Sequence, residues 1–297
     1  MYKKGLKPFL YMHLLVLTAK LKNIILTYKM VEINKKIIIL HFKEIINIER
    51  IIMKKYNIYP YHTDLIIGKK KIKLTNNIEV VEHFQNNYTH KTIIFNTTSN
   101  KLKDILKNEL INFTKEINIK HLLIIGIGND NYTSDSIGPK TLKHIKVNYD
   151  IGINPYIKVS ALEPGAYGET GILTEKIISS ITKEIKPDLI ILIDSYITDN
   201  INYLNKTIEI NNKGLYPGSG ISSINSKLDK ESIGIPILVI GVPTAIEVKF
   251  SNNNKNYKPY LLSTKDVDKY INNISKLIGD SINTFISYLS QYQDNND

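Results

Sequence analysis

The run from Leu122 to Ile127 constrains the fold more than any other stretch, because apart from Gly126 every position is a large aliphatic side chain. A strand with one wet face alternates apolar and polar residues, so an unbroken run flanked by glycine predicts a strand buried on both faces. A helix is expected to start near Ser136. Ile157 to Leu162 reads as a second strand, and Ile172 to Lys186 has helical spacing. Leu189 to Ile193 is another doubly buried strand, ending on Asp194. Thr207 to Ile210 and Ile237 to Ile240 complete the set. Strands alternating with helices of this length predict an α/β fold, a three-layer sandwich around a largely parallel sheet.

The ends of the chain read differently. Before the doubly buried run, residues 101–118 repeat apolar side chains at three- and four-residue spacing and predict an amphipathic helix. Asp64 to Ile67, Lys71 to Leu74 and Thr92 to Phe95 predict short strands between polar turns. The chain closes on a long helix with a capping-box-like start at Ser263 and Asp266. Residues 1–56 are expected to be a leader, a propeptide or sequence upstream of the working start, and residues 57–297 a single α/β domain. The apolar run from Phe9 to Ala19 is shorter than the roughly 20 residues a spanning helix needs, so no membrane association is expected.

Composition removes whole classes of chemistry. The chain has no cysteine, which excludes disulfides, thiolate metal sites and a cysteine nucleophile. Its formal charge of +11 raises the question of nucleic acid. The first 52 residues, however, hold ten basic and three acidic groups, leaving the body nearly balanced. Arg50 is the sole arginine, whereas bidentate phosphate recognition favours arginine. Direct nucleic-acid binding is therefore not expected. The seven histidines show no metal-ligand spacing and read as surface or turn residues. No metal and no cofactor is expected.

Two acids stand out. In an open parallel sheet, ligands bind beyond the carboxyl ends of the strands. Asp135 lies in the turn after the first buried strand, and Asp194 closes the other. If those strands are neighbours, the two carboxyls face one cavity and share a proton, one acting as base toward water and the other as acid toward a carbonyl oxygen. An aspartate at the place of Asp135 is also a common helix cap. Glycine-rich loops adjoin the same edge around Gly126, Gly165 and Gly218. The dinucleotide fingerprint fails at Asn131, where it needs its third glycine. Gly126, Asn129, Gly165 and Gly218 are expected to shape the cleft.

The strings LLIIGIGNDNYTSDSIGP, VSALEPGAYGETGI, KPDLIILIDSYI, TIEINNKGLYPGSGI and SIGIPILVIGVPTAIE follow one another from Leu122 to Glu247, with STKDVDKYINNI after them. Their order and spacing resemble the germination protease family of endospore-forming bacteria. The resemblance implies an endopeptidase made as a zymogen, which degrades small acid-soluble spore proteins at germination. It also implies a homo-oligomer (a tetramer), a location in the cytoplasm of the forespore or spore core, and a fold similar to hydrogenase maturation endopeptidases. The family's aspartate pair falls on Asp135 and Asp194. YHTDL looks like the start of the family's mature chain and puts Thr63 and Asp64 in a processing segment. Ser134 stands where the family has proline, and Ser195-Tyr196-Ile197 replaces a small, alanine-rich stretch. A metal-dependent peptidase of the maturation type and a non-catalytic sporulation protein of the same fold are the alternatives.

Overall fold

A computed structural model describes residues 68–73, 77–85, 88–148, 156–217, 227–248 and 260–294. Three strands open the described chain: β1 (Gly68–Lys73), β2 (Ile78–Gln85) and β3 (Tyr88–Phe95). Helix α1 (Asn100–Thr114) follows, its first turn capped by the Ser99 hydroxyl oxygen, which accepts from the Leu102 N–H at 3.2 Å. β4 (His121–Gly126), a 3₁₀ turn (Thr133–Asp135) and α2 (Ile137–Leu142) come next. Then come β5 (Lys158–Leu162), the short α3 (Tyr167–Thr170) and α4 (Thr174–Ile185). β6 (Leu189–Thr198), β7 (Thr207–Asn211), α5 (Lys230–Ile233), β8 (Ile237–Val248) and β9 (Tyr260–Leu262) precede the closing α6 (Val267–Asp294).

The nine strands form one sheet in the order β1-β2-β3-β7-β8-β6-β4-β5, with β9 added to the far part of β8. The expected parallel arrangement holds for one half only. β5, β4, β6 and β8 are parallel neighbours, whereas β1, β2, β3, β7 and β9 join by antiparallel pairings. The sheet is therefore mixed. Parallel pairing follows where a crossover helix separates two strands; β2 and β3, only two residues apart in sequence, pair antiparallel.

Period-two alternation sorts the parallel strands' side chains between two cores. Leu122, Ile124, Leu189, Ile191, Ile193, Leu238 and Ile240 face one side, packed with Leu106 and Leu110 of α1 and Ile274, Ile278 and Phe285 of α6. Leu123, Ile125, Ile190, Leu192 and Val239 face the other, against Ile178 of α4 and Ile233 of α5. Helices thus cover both faces, and every residue of β4 is buried. The Asp188 carboxylate fixes the entry to β4, accepting the N–H groups of Lys120 and His121 at 2.8 Å each.

Several expectations change at element ends. β6 does not stop at Asp194 but continues to Thr198, because β8 runs beside it from Ile190↔Ile237 to Thr198↔Ile246. The Ser263 hydroxyl donates to the Thr244 carbonyl and so ties β8 to the approach of α6. His83 and His121 are buried strand residues, not surface or turn residues. His121 Nδ1 donates to the Ile185 carbonyl at 3.1 Å, which leaves Nε2 to accept from the Ser160 hydroxyl at 2.9 Å. The strand expected over Asp64 to Ile67 lies outside the described residues.

Candidate active site

β4 and β6 are adjacent and parallel, in the register Leu122↔Leu189 to Gly126↔Ile193. One further bond, from the Ile127 N–H to the Ile193 carbonyl at 2.8 Å, closes the pairing. The chain after β4 then turns away while β6 runs on. Asp194 is the first β6 residue past that last bond, paired with Gly241 of β8 on its other side. It sits at the open edge that an α/β sheet presents to ligands.

The loop after β4 folds back to bring Asp135 to the same place. Gly128 adopts φ +125°, and a Cβ there would lie 1.9 Å from the Asp135 carbonyl oxygen. Only glycine suits that backbone shape and that approach. The Asn129 N–H donates to the Asp135 carbonyl at 3.0 Å, and Asn129 Oδ1 accepts from the Asn131 N–H at 2.8 Å. From β8, the Thr244 hydroxyl donates to the Ser134 carbonyl, fastening the turn to the sheet. Behind it, Gly126 and Gly138 pack backbone to backbone, so that the first turn of α2 rests directly on the end of β4.

Asp135 is not the cap of α2. The N-cap is Ser136, with no side-chain cap bond, and the Asp135 carboxylate instead accepts the Ser195 hydroxyl at 3.1 Å. Burial raises the Asp135 pKa above its ordinary value. The Ser195 hydroxyl and the Asn129 N–H pull it back, and the charge of Glu169 adds to the rise. Asp194 is pushed well above the ordinary carboxylate range, first by burial and then by the charge of Asp135; the Ser195 N–H opposes both. The charge of Asp135 therefore reaches Asp194 and disfavours a second negative charge there. Glu169 belongs to the same rim. Its Oε1 accepts from Asn131 Nδ2 at 3.0 Å, which links the loops after β4 and β5.

Of the residues expected to shape the cleft, Asn129 lies against Asp135, buried. Gly126 is buried behind the turn, and Gly165, at φ +71°, bends the chain into the loop that carries Glu169. Gly218, Thr63 and Asp64 lie outside the described residues. Ser195, Gly128 and Glu169 join the site without having been singled out for it. Ser195 carried a weak signal, a hydroxyl in place of a small apolar side chain directly after a strand-end acid.

Fold and site together define an α/β protein with an interacting carboxyl pair at the open ends of neighbouring parallel strands. The germination protease family model matches residues 89–258, and this chain belongs to that family. Among its relatives, the germination protease of Geobacillus sp. (strain WCH70) is 36% identical over 160 residues, 50% of this chain and 42% of the relative. That of Clostridium tetani is 29% identical over 245 residues, 66% of this chain and 75% of the relative. That of Clostridium perfringens (strain SM101) is 32% identical over 222 residues, 59% of this chain and 67% of the relative. The match thus spans about two fifths of the Geobacillus protein and two thirds or more of the clostridial ones.

Proposed function

We propose that this chain is an endopeptidase that degrades small acid-soluble spore proteins during spore germination, using Asp135 and Asp194 to activate water. The observation that carries the reading is that Asp135 and Asp194 lie where the β4–β6 pairing stops, with the charge of Asp135 acting on Asp194 and each pKa raised. In such a pair the carboxyl with the higher pKa keeps its proton to a higher pH than the other, so one can serve as acid while the other serves as base.

The reaction balances without a covalent intermediate. The Asp135 carboxylate takes a proton from water as the water oxygen bonds to the scissile carbonyl carbon, and Asp194 gives its proton to the carbonyl oxygen. The resulting gem-diol collapses when Asp194 takes a hydroxyl proton back and Asp135 protonates the amide nitrogen. The C–N bond breaks, and the pair returns to its starting state. The reading includes synthesis as a zymogen, with the segment before residue 57 removable and Thr63 and Asp64 near the processing point, assembly as a homo-oligomer, and action inside the spore. No helix among the described residues is long and apolar enough to cross a membrane.

The test is substitution of each acid. With a small acid-soluble spore protein as substrate and mass spectrometry of the products, Asp135→Asn and Asp194→Asn should each lower kcat by about 10²–10⁴-fold, the usual worth of a general acid or base. Full cleavage by either variant overturns the mechanism.

A further inference from the structure

Ser195 bears on both acids through different atoms. Its hydroxyl donates to Asp135 Oδ1 at 3.1 Å, and its backbone N–H, next in the chain after Asp194, favours the charged form of the Asp194 carboxyl. The residue is held in place by β8, where Ser195 pairs with Val242 between Asp194↔Gly241 and Tyr196↔Pro243, ahead of the register shift after Tyr196. Alternation puts Asp194 and the Ser195 side chain on opposite faces of β6. The hydroxyl therefore serves Asp135, while the N–H remains for Asp194. We propose that Ser195 is the positioning residue that divides the labour of the pair, holding the negative charge on Asp135 and leaving the proton with Asp194. The inference rests on the endopeptidase reading above.

Two carboxyls at one strand edge do not by themselves say which is the base. The asymmetry comes from their surroundings. Asp194 lies between the doubly buried part of β6 and Gly241 of β8, and the donor that favours its charge is one N–H. Asp135 has the Asn129 N–H, already bonded to its own carbonyl, and the Ser195 hydroxyl, which reaches the carboxylate directly. Other charges facing the pair do not supply the bias. Glu169, from α3, works against a charge on Asp135. Tyr196, next along β6, is engaged with Glu209 of β7. Removing the hydroxyl takes a charge-favouring donor from Asp135 alone, because Ser195→Ala keeps the N–H that serves Asp194.

The experiment compares Ser195→Ala and Ser195→Thr with the unaltered full chain. Carboxyl ¹³C NMR of aspartate-labelled protein reads the titration, with Asp135→Asn and Asp194→Asn used to assign the signals. The pH dependence of kcat/KM on a small acid-soluble spore protein reads the chemistry. Ser195→Ala should raise the lower apparent pKa of the pair by about one pH unit, since a hydrogen bond to a charged group is worth roughly that much. The acid limb of kcat/KM should follow, so that activity well below it falls about tenfold at a given pH. The upper step should stay, because the hydroxyl bonds a charged Asp135 both before and after Asp194 ionises. Ser195→Thr, which keeps the hydroxyl, should restore the lower value. If Ser195→Ala leaves the pair's titration where it was while both Asn variants are inactive, the Ser195 inference fails and the acid pair stands. If either Asn variant still cleaves, the underlying reading fails as well.

Discussion

The two halves of the sheet treat buried polarity in opposite ways. In the parallel half, β4 from Leu122 to Ile125 and β6 from Leu189 to Ile193 carry only aliphatic side chains, and two acids, Asp135 and Asp194, stand just past the point where the β4–β6 pairing stops. In the antiparallel half, polar side chains lie in the middle of the strands. His83 of β2, Thr92 of β3 and Glu209 of β7 are all buried. They engage across strands: His83 Nε2 and Thr92 Oγ1 share a hydrogen bond at 2.8 Å, the His83 and His90 rings stack at 4.6 Å, and His90 Nε2 lies 3.4 Å from Glu209 Oε2. Buried polar groups that meet neighbours of complementary chemistry join strands. Asp135 and Asp194, buried and with the charge of one acting on the other, are left with raised pKa values instead.

The difference can be broken first at the parallel core. Ile191 is fully buried three residues before Asp194, among β strands and helix side chains that cannot all close around a gap. Ile191→Ala should cost about 2–5 kcal/mol of unfolding free energy in urea titrations, through lost burial and the cavity left behind. A cost well below 1 kcal/mol would mean that the parallel half is not the rigid frame of the site. The antiparallel half predicts a smaller loss of a different kind. His83→Phe keeps a ring beside His90 but removes the bond to Thr92, and should cost about 1–3 kcal/mol. Cleavage measured at a temperature where the variant is fully folded should keep its kcat. A large fall in kcat would show that the polar layer of β2, β3 and β7 takes part in the chemistry.

The parallel half was also the legible one. β4 could be read because burial on both faces forces an unbroken apolar run, and the same holds for Leu189 to Ile193. Beyond Asp194, the sequence Ser195-Tyr196-Ile197-Thr198 looks like the start of a loop, since its polar residues carry no strand pattern of their own. It stays extended because β8 runs alongside it, and Gly241, lacking a Cβ, leaves room for the Tyr196 ring. The sequence does not announce that neighbour. His83 misled for a related reason. A lone histidine suggests a wet surface until its partner is known, and Thr92 reaches it only through the β2–β3 pairing. Asp135 was legible as the acid of the turn after β4, whereas Asp194, read as the end of its strand, lies inside β6 just past the last β4 pairing. The hydrogen bond that the Asp135 carboxylate accepts comes from Ser195, far along the chain, and no local pattern encodes it.

A third acid separates the structural use of a carboxylate from the one proposed for the site. Asp229 caps α5: its Oδ1 accepts the Ser232 N–H at 2.8 Å, and its own N–H donates to the Ser232 hydroxyl at 3.0 Å. Burial pushes its pKa up, but the Lys227 ammonium and the two Ser232 donors outweigh that and hold it below the ordinary value. An acid with a lowered folded pKa contributes stability that is present above its unfolded pKa, near 3.9, and lost as pH falls through the folded value. Asp229→Ala should therefore cost about 1 kcal/mol at pH 7, the usual worth of a cap, and the difference from the unaltered protein should shrink below about pH 4. Asp194 obeys the opposite sign. Its raised folded pKa means that the unfolded chain binds fewer protons between the two values, so its contribution to stability declines as pH rises from about 4. Thermal unfolding of Asp229→Ala and Asp194→Asn across pH 3–8 should give difference curves of opposite slope. Parallel slopes would place both acids in the same structural role and remove the distinction between the site and its frame.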